Sequence, residues 1–532
     1  MFQRLKTNWK SGITVALVSV PLSLSLAVAS GANPVQGIIT AVWAGVIAAI
    51  LGGSSYNIIG PAGALSGILA SFALRNGFEL LPSIAVISGI LILIAYILKL
   101  EKYLVFIPSS AVHGFTLGVA FMIIWGQFNS ALGLRGIVPH EKFLENFMES
   151  MRHIGGISIP TLAVFIIFLA ALFLILKFIP KIPGVLVVAP LGIILGHIMP
   201  TLVTLGSKFP TLSGELFGKL TFVYSPDLIK TSLVVAIVAI LETMLSAKVA
   251  DNITKTKYIK RKEMLGLGFA NIVSGIFGGI PATGVLARTS LNIKSGATSK
   301  ASALINSISI AVVSVFLLSY FRYMPLAVIA AILTFVAIRM IQMEHFVKMW
   351  SMDRLGFWIS ILVTFITVFD DPSMAILVGT SISLLLLVEK ISHGQFELIL
   401  NHNKKGIVHK LEGEYLEQID KKGDTLVYSI KGQLLHLNTH AHLARFEKGL
   451  NGYKNIIIRL RELYFVDLDG VECISEIIEN IKRQKRNVAI TGVSDFVREM
   501  FIKSPEFLAL ENEGLIFNKT SEALKKFGYK IK

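Results

Sequence analysis

The sequence feature that most limits the fold is the run from Ser11 to Leu74, which contains no charged side chain. A water-soluble domain has no reason to exclude charge over such a length. A bilayer does, because a charge buried in hydrocarbon is costly. Of the 532 residues, 53% are hydrophobic and 16% are charged. We therefore expect most of the chain to lie in lipid and a minority to form a soluble part.

Fourteen apolar segments follow one another in two series of seven. The first series is 12–30, 35–52, 62–74, 81–99, 109–130, 159–179 and 183–199, and the second is 231–249, 265–279, 286–294, 300–320, 324–342, 354–369 and 374–391. Most approach the roughly 20 residues that a spanning helix needs, but the third of each series is too short to span alone. No cleavage-site pattern follows the basic start, so we expect the first segment to stay as a helix.

Lysine and arginine concentrate in alternate loops, around residues 99–102, 177–181, 255–262 and 339–354. The positive-inside rule predicts that these loops and both termini are cytoplasmic. This bias also accounts for the net charge of +16, so we expect a lipid bilayer and not nucleic acid as the partner. Because the first series has an odd number of segments, the second series starts on the opposite side of the membrane and is inverted relative to the first. We therefore predict an α-helical polytopic membrane protein built as a 7+7 inverted repeat, as in many secondary transporters.

The composition changes after Glu389, where charged residues become frequent and strand-like and helix-like runs alternate. The strand-like runs are 424–430, 455–460 and 487–491, and the helix-like runs are 470–482, 495–502 and 521–527. We predict a transmembrane domain at 1–392, a linker at 393–412 and a small α/β domain at 413–532. Cys473 is the single cysteine, so the chain can form no internal disulfide, and a reducing compartment is expected for the soluble part.

Two Gly/Pro breaks, at Gly60-Pro61 and Gly279-Ile280-Pro281, open the two short segments and lie 220 residues apart, from Pro61 to Pro281. A half-helix that begins inside the membrane directs unpaired N–H groups and the positive end of its dipole at the break. Two such ends that face each other make an anion site. A single break is as well explained by a kink or a packing notch. Two matched breaks favour a binding site.

An arginine lies in the second short segment, and an intramembrane arginine indicates function. Hydroxyl groups and small residues nearby would donate hydrogen bonds and allow close backbone approach. The repeat offset places Ser23 on the opposite wall. The predicted substrate-binding residues are Ser23, Ala62, Gly63, Ser66, Gly284, Leu286, Ala287, Arg288 and Thr289.

Glu242 lies in an otherwise uncharged run, residues 233–245. Burial there favours the neutral carboxyl unless a cation lies beside it. We predict a coupling role, in which Glu242 exchanges a proton or holds Na⁺ together with Ser246 and backbone carbonyls. The alternative is a static ion pair between Glu242 and Arg288. The sequence has no P-loop, HExxH or GxSxG motif and no clustered metal-ligand set, so we expect neither an enzyme nor a cofactor.

Taken together, these motifs resemble the SulP anion transporters, the bacterial counterparts of solute carrier family 26. The residues that carry the resemblance are Val20-Pro21, Gly60-Pro61-Ala62, Leu241-Glu242 through Ala250-Asp251, Gly278 to Pro281, Arg288 to Asn292, and the soluble tail. The resemblance implies core and gate subdomains, an anion between the third and tenth half-helices, and elevator-like transport. It also implies a homodimer in the bacterial inner (plasma) membrane.

The tail of that family is a STAS domain, and Val466 to Gly470 resembles its Asp-Ser-Ser/Thr-Gly loop at Asp467 and Gly470. The two hydroxyl positions hold Leu468 and Asp469 here, so a serine phosphorylation switch is not expected. We interpret Asp469 as a negative charge at a helix start. The resemblance leaves a cytoplasmic partner of the STAS domain open.

The resemblance implies a small inorganic oxyanion as substrate, bicarbonate or sulfate, with H⁺ or Na⁺ co-transported. Sodium-dependent bicarbonate transporters carry Asp at the position of Glu242, and Leu286 departs from their pattern too, which favours proton coupling. The main hypothesis is a secondary active transporter. A passive anion channel or exchanger would not need Glu242 to titrate, and a nucleobase transporter of the same fold should lack a STAS tail. A membrane anchor for a signalling domain would leave the paired half-helices unexplained.

Overall fold

The computed structural model describes residues 2–138, 140, 143–180, 182–210, 216–370, 372–401, 407–412, 424–449 and 453–528. The chain divides into two compact units, residues 1–383 and 384–532. Residues 402–406 and 413–423, which belong to the predicted linker and the start of the predicted α/β domain, lie outside the described residues.

The first unit is almost entirely helical, since inside a bilayer every backbone polar group needs a partner within the protein. Its first half contains α1 (Phe2–Ala29), α2 (Pro34–Leu51), β1 (Ile59–Gly60), α3 (Gly63–Asn76), α4 (Leu81–Ile97), α5 (Ser109–Gly126), α6 (Phe128–Leu132), α7 (Phe143–Arg152), α8 (Ile159–Phe178), α9 (Gly184–Ile198) and α10 (Leu205–Lys208). Its second half contains α11 (Pro226–Thr254), α12 (Lys260–Ile276), β2 (Thr283–Gly284), α13 (Leu286–Lys294), α14 (Ala301–Leu317), α15 (Leu326–Met340), α16 (Met343–Met352), α17 (Arg354–Phe369) and α18 (Pro372–Ser392).

Each of the fourteen predicted segments contains a helix, but the helices differ in length. Within the described ranges, nine are long and apolar enough to cross a membrane, and α9 and α17 are shorter apolar helices. The count of fourteen spans is therefore not reproduced by length alone. Two physical reasons are visible: α3 and α13 are half-helices, and α12 begins with the charged residues Lys260 to Glu263.

Helix packing in the first unit follows the predicted repeat. Helix α4 packs on α12 and α11, and its repeat counterpart α14 packs on α2 and α1. In the same way α5 packs on α17, and α15 packs on α8. The elements before and after each Gly/Pro break thus occupy equivalent environments in the two halves.

The second unit contains a six-stranded sheet in the order β4-β3-β5-β6-β7-β8. Its strands are β3 (Gln395–Asn401), β4 (Ile407–Glu412), β5 (Thr425–Leu434), β6 (Asn455–Val466), β7 (Asn487–Thr491) and β8 (Ile516–Phe517). Strands β5 to β8 are parallel, whereas β3 is antiparallel to both neighbours. The helices are α19 (His436–Gly449), α20 (Leu468–Arg483), α21 (Asp495–Phe501), α22 (Pro505–Asn512) and α23 (Thr520–Lys526). This arrangement agrees with the predicted α/β class.

The predicted linker, residues 393–412, differs in the structure, because it contains β3 and β4. Phe396 and Leu398 on β3 are buried in the core of the sheet domain, paired with Ile430 and Tyr428 on β5. Between them, Glu397 is also buried and pairs with Lys431 at 3.0 Å. Phe396-Glu397-Leu398 has the apolar–polar alternation of a strand, a signal that the assignment of a charged linker overlooked.

Candidate functional site

The two Gly/Pro breaks meet as a short antiparallel ladder at the centre of the first unit. Ile59 pairs with Gly284 and Gly60 with Thr283. The N–H of Val285 also donates to the Ile58 carbonyl at 3.0 Å. Half-helices α3 and α13 begin directly after these strands, and no side chain among the described residues caps either start. The geometry thus leaves two sets of first-turn N–H groups for a ligand.

Arg288 reaches from α13 into the opposite break. Its side chain is 2% exposed, and its Nη2 donates to the Pro61 carbonyl at 3.2 Å. Gly60 makes room for it, since a Cβ at that position would lie 2.8 Å from Nη1. Within the described part of the chain, Nε has no hydrogen-bond partner. The guanidinium therefore lies at the meeting point of the two half-helices with donor capacity left over.

Glu242 lies on α11 next to the second break and accepts a hydrogen bond from the Thr283 hydroxyl at 2.6 Å. In the described residues it forms no ion pair with Arg288, so the static pair considered from the sequence is not formed. Thr283 belongs to β2, so the carboxyl group of Glu242 contacts the same ladder that positions Arg288.

Ser246 and Thr289 belong to a separate buried hydrogen-bond cluster. The Ser246 hydroxyl contacts Asn57 Oδ1 at 2.7 Å and Thr289 Oγ1 at 3.0 Å. Thr289 Oγ1 also contacts Asn57 Oδ1 at 2.9 Å and accepts from the Ile58 N–H at 3.1 Å. The structure thus gives both hydroxyls partners away from the Glu242 carboxylate. They fix α13 to the segment before β1.

Sequence reasoning missed Asn57 and Glu263, which complete that cluster. Glu263, on the first turn of α12, is 1% exposed. Its carboxylate accepts from Asn57 Nδ2 at 2.7 Å and from the N–H groups of Gly53 and Ser54 at 2.6 and 2.7 Å. In the sequence, Glu263 ends a strongly basic loop and looks like a surface charge. The available signal is that it directly precedes the apolar part of α12.

Three of the remaining predicted residues lie at the start of α3. Ala62 is the N-cap of α3, and Gly63 is its first residue, where a Cβ would lie 3.2 Å from side chains of α5 and α15. The Ser66 hydroxyl donates to the Gly63 carbonyl at 2.6 Å. Ser23 is buried on α1, and its hydroxyl has no partner among the described residues.

The second half-helix is the more accessible of the two at its start. Leu286 is partly exposed and Ala287 is exposed, although Arg288 and Thr289 after them are buried. Gly284 is confined by packing, since a Cβ would lie 2.7 Å from the Asn57 side chain, and its N–H donates to Thr243 Oγ1 at 2.8 Å. A small ligand can therefore approach the N-terminus of α13.

A cavity of about 750 Å³ lies beside α3, and residues of α1, α5, α7 and α15 also line it. Ser66 and Gly67 form part of its wall. Its wall includes residues of α1 and α3 on the break-bearing side and residues of α5 and α15 opposite them.

The STAS-type loop of the second unit lies at the start of α20. Asp467 is the N-cap residue, and its Oδ1 accepts from the Gly470 N–H at 2.9 Å. Asp469 lies in the first turn, next to Leu468.

Membrane-length helices around two paired half-helices, followed by an α/β domain, define a polytopic membrane transport protein. Residues 5–363 match the Sulfate permease family, and residues 418–523 match the STAS domain. The protein belongs to the Sulfate permease family. The resemblance seen in the sequence is thus confirmed, and because the relatives in this family are transporters, so is the prediction that the chain is not an enzyme.

Relatives match nearly the whole chain. YvdB of Bacillus subtilis (strain 168), whose name assigns it provisionally to sulfate transport, is 29% identical over 95% of this chain and 94% of its own. The bicarbonate transporter BicA of Picosynechococcus sp. is 25% identical over 98% of this chain and 95% of its own.

Two solved structures share the fold. Murine solute carrier 26 family member A9, an anion transporter, has a TM-score of 0.85 at 13% identity and covers 99% of this chain and 92% of its own. The transmembrane domain of a cyanobacterial BicA has a TM-score of 0.62 at 24% identity and covers 71% of this chain and 98% of its own.

Proposed function

We propose that the protein is a secondary active transporter of small inorganic oxyanions, bicarbonate or sulfate. The observation that carries this proposal is Arg288, a buried cation without a described carboxylate partner, placed between two uncapped helix N-termini. A buried charge needs a counter-charge. A mobile anion supplies it.

The electrostatics favour an oxyanion of either charge. Each helix end acts as roughly half a positive charge, so the two ends and the guanidinium present roughly two charges in all. The guanidinium group and the first-turn N–H groups can donate hydrogen bonds to several oxygen atoms of one anion. Named sulfate and bicarbonate transporters among the relatives support the same class of substrate.

Glu242 is the group that we assign to coupling. Its carboxylate is tied to Thr283, one residue before Gly284 in the ladder, so a proton or Na⁺ at Glu242 would change the hydrogen bonding of the break itself. Anion binding and cation binding would then be linked through a few atoms. A passive channel or an exchanger would keep Arg288 and leave Glu242 without this role.

The two helix groups support an elevator-type movement. The break-bearing group of α1 to α4 and α11 to α14 would carry the anion, and the group with α5, α8, α15 and α17 would form the gate, with the cavity between them. The proposal includes a homodimer in the bacterial plasma membrane. Both termini would be cytoplasmic, because the basic loops share one side of the membrane. It keeps residues 1–392 as the transport domain.

Binding measurements on Arg288 variants test this assignment. Purified wild-type protein should be stabilised against heat by sulfate or bicarbonate. Arg288→Ala should lose that stabilisation, and Arg288→Lys should keep only part, because an ammonium group cannot form the bidentate contact. Arg354→Ala, which removes an exposed arginine at the start of α17, is the matched control. An Arg288→Ala protein that is monodisperse and still stabilised by anion would place the site elsewhere.

A further inference from the structure

Three side chains of types that can bind a metal ion come together at the STAS-type loop of the second unit. His436, Asp467 and Asp469 each offer one ligand atom, and these atoms lie within 4.8 Å of one another. His436 Nδ1 is 3.7 Å from Asp467 Oδ2. His436 begins α19, and the two aspartates begin α20. Strands β5 and β6 bring them together from separate parts of the sequence.

The spacing suits a transition-metal ion. Imidazole nitrogen and carboxylate oxygen bind Zn²⁺ at about 2.0–2.2 Å, which places neighbouring ligand atoms roughly 3.4 Å apart. Small side-chain rotations reach that separation from the distances observed. His440, also exposed, follows His436 by four residues on α19, so both imidazoles lie on one face of the helix.

The backbone around these ligands is already fixed. Asp467 accepts from the Gly470 N–H through Oδ1 and from the His436 N–H through Oδ2, at 2.9 and 3.0 Å. Asn438 fixes the start of α19, since its Oδ1 accepts from the Leu435 N–H at 2.8 Å and its Nδ2 donates to the Gln433 carbonyl at 2.9 Å. Such outer contacts orient ligands and strengthen metal sites.

We propose that His436, Asp467 and Asp469 form a binding site for a first-row transition-metal dication, represented by Zn²⁺. Imidazole and carboxylate together are suited to Zn²⁺, Ni²⁺ or Co²⁺ rather than to Mg²⁺ or Ca²⁺, which prefer oxygen ligands alone. Each of the two helix starts carries roughly half a positive charge, which disfavours a cation. The two aspartates supply two full negative charges, which outweigh it.

The alternative is that each of these residues has a separate structural role and no metal binds. Asp467 would be only a helix cap, and Asp469 only a favourable charge in the first turn. That account does not require His436 beside both carboxylates. It predicts no metal affinity.

Metal titration of the full-length protein in detergent, after removal of metals with a chelator, separates the two accounts. Co²⁺ should bind with a visible absorption band and be displaced by Zn²⁺. Asp467→Asn keeps a good helix cap, and Asp469→Asn and His436→Gln leave the core intact. Each should weaken binding roughly tenfold or more, since even outer-shell changes cost that much. Asp495→Asn, at an exposed first-turn position of α21, and His393→Gln, at an exposed histidine, are matched controls.

Cys473 reports whether the variants stay folded. Burial raises the pKa of its thiol to about 12, so a thiol reagent should label it slowly in every folded variant. Wild-type affinity in the three site variants would overturn the proposal. So would equal loss in the controls, no binding by the wild type, or metal bound only at the stacked His113 and His345 rings of the first unit.

Discussion

At the residue scale, Gly60 and Arg288 form one unit. The guanidinium occupies the space that a side chain at Gly60 would fill, and it donates to the next residue of the same break. The proposed anion site is therefore shared between two halves of the chain rather than built by α13 alone. A substitution in the first break should therefore move the guanidinium of Arg288, which belongs to the second half of the chain.

Gly60→Ala tests that relation with a single methyl group. Its Cβ would meet Nη1 of Arg288 at 2.8 Å, while every other atom near it lies at 3.7 Å or more. We expect a folded protein whose apparent anion affinity falls roughly tenfold, since the guanidinium must move. Gly155→Ala, at a position outside the cavity where a Cβ meets nothing within 4 Å, is the control. Uptake with unchanged anion KM in Gly60→Ala would show that the position of Arg288 does not limit binding.

Glu242→Gln isolates the proposed coupling group. Glutamine keeps an oxygen that can accept from Thr283 Oγ1, but it cannot gain or lose a proton. We expect uptake to lose its dependence on pH or on the driving cation, measured as the rate over a pH series in proteoliposomes. The exposed Glu344 on α16 provides the matched control, Glu344→Gln. A Glu242→Gln protein with the wild-type pH and cation profile would remove Glu242 from coupling.

At the scale of elements, α19 carries a buried titratable group, His442. Its Nδ1 contacts the Tyr428 hydroxyl on β5 at 2.7 Å. Burial, with a smaller effect from Arg445, lowers the pKa of His442 from 6.5 to about 3. The folded domain therefore holds the ring neutral where the unfolded chain would bind a proton.

Acid should destabilise the second unit through His442. The folded pKa is depressed, so the contribution is complete above about pH 6.5 and falls as the pH drops toward about 3. We expect protection of the tail from proteolysis to decrease between about pH 7 and pH 5. His442→Gln should reduce that dependence, and His393→Gln should not. Equal slopes in all three proteins would assign the acid sensitivity to other groups.

The breaks were predictable from the sequence because glycine and proline interrupt helices through their own backbone constraints. Pro61, Pro281 and Arg288 could be recognised from their own sequence neighbourhoods. The roles of Asn57 and Glu263 could not, since they depend on the tertiary contact between α12 and the segment before β1. Strand β3 was missed although Phe396-Glu397-Leu398 alternates as a strand does, because the partner that neutralises Glu397, Lys431 on β5, is distant in the sequence.

At the scale of the molecule, the repeat explains why two distant breaks meet. Counterpart helices pack on counterpart partners, so the third helix of each half arrives at the centre from its own direction. The halves differ in their chemistry, because Arg288 and Glu242 both belong to the second. The two-fold repeat thus holds a proposed site whose charged groups come from one half only.

Uptake by the protein in proteoliposomes tests the central claim most directly. Labelled sulfate and labelled bicarbonate would be followed side by side with a proton gradient, a sodium gradient or neither. We predict that one gradient drives accumulation of an anion above its equilibrium level, and that Arg288→Ala abolishes it. Flux that only equilibrates under all three conditions would contradict secondary active transport and favour the channel or exchanger.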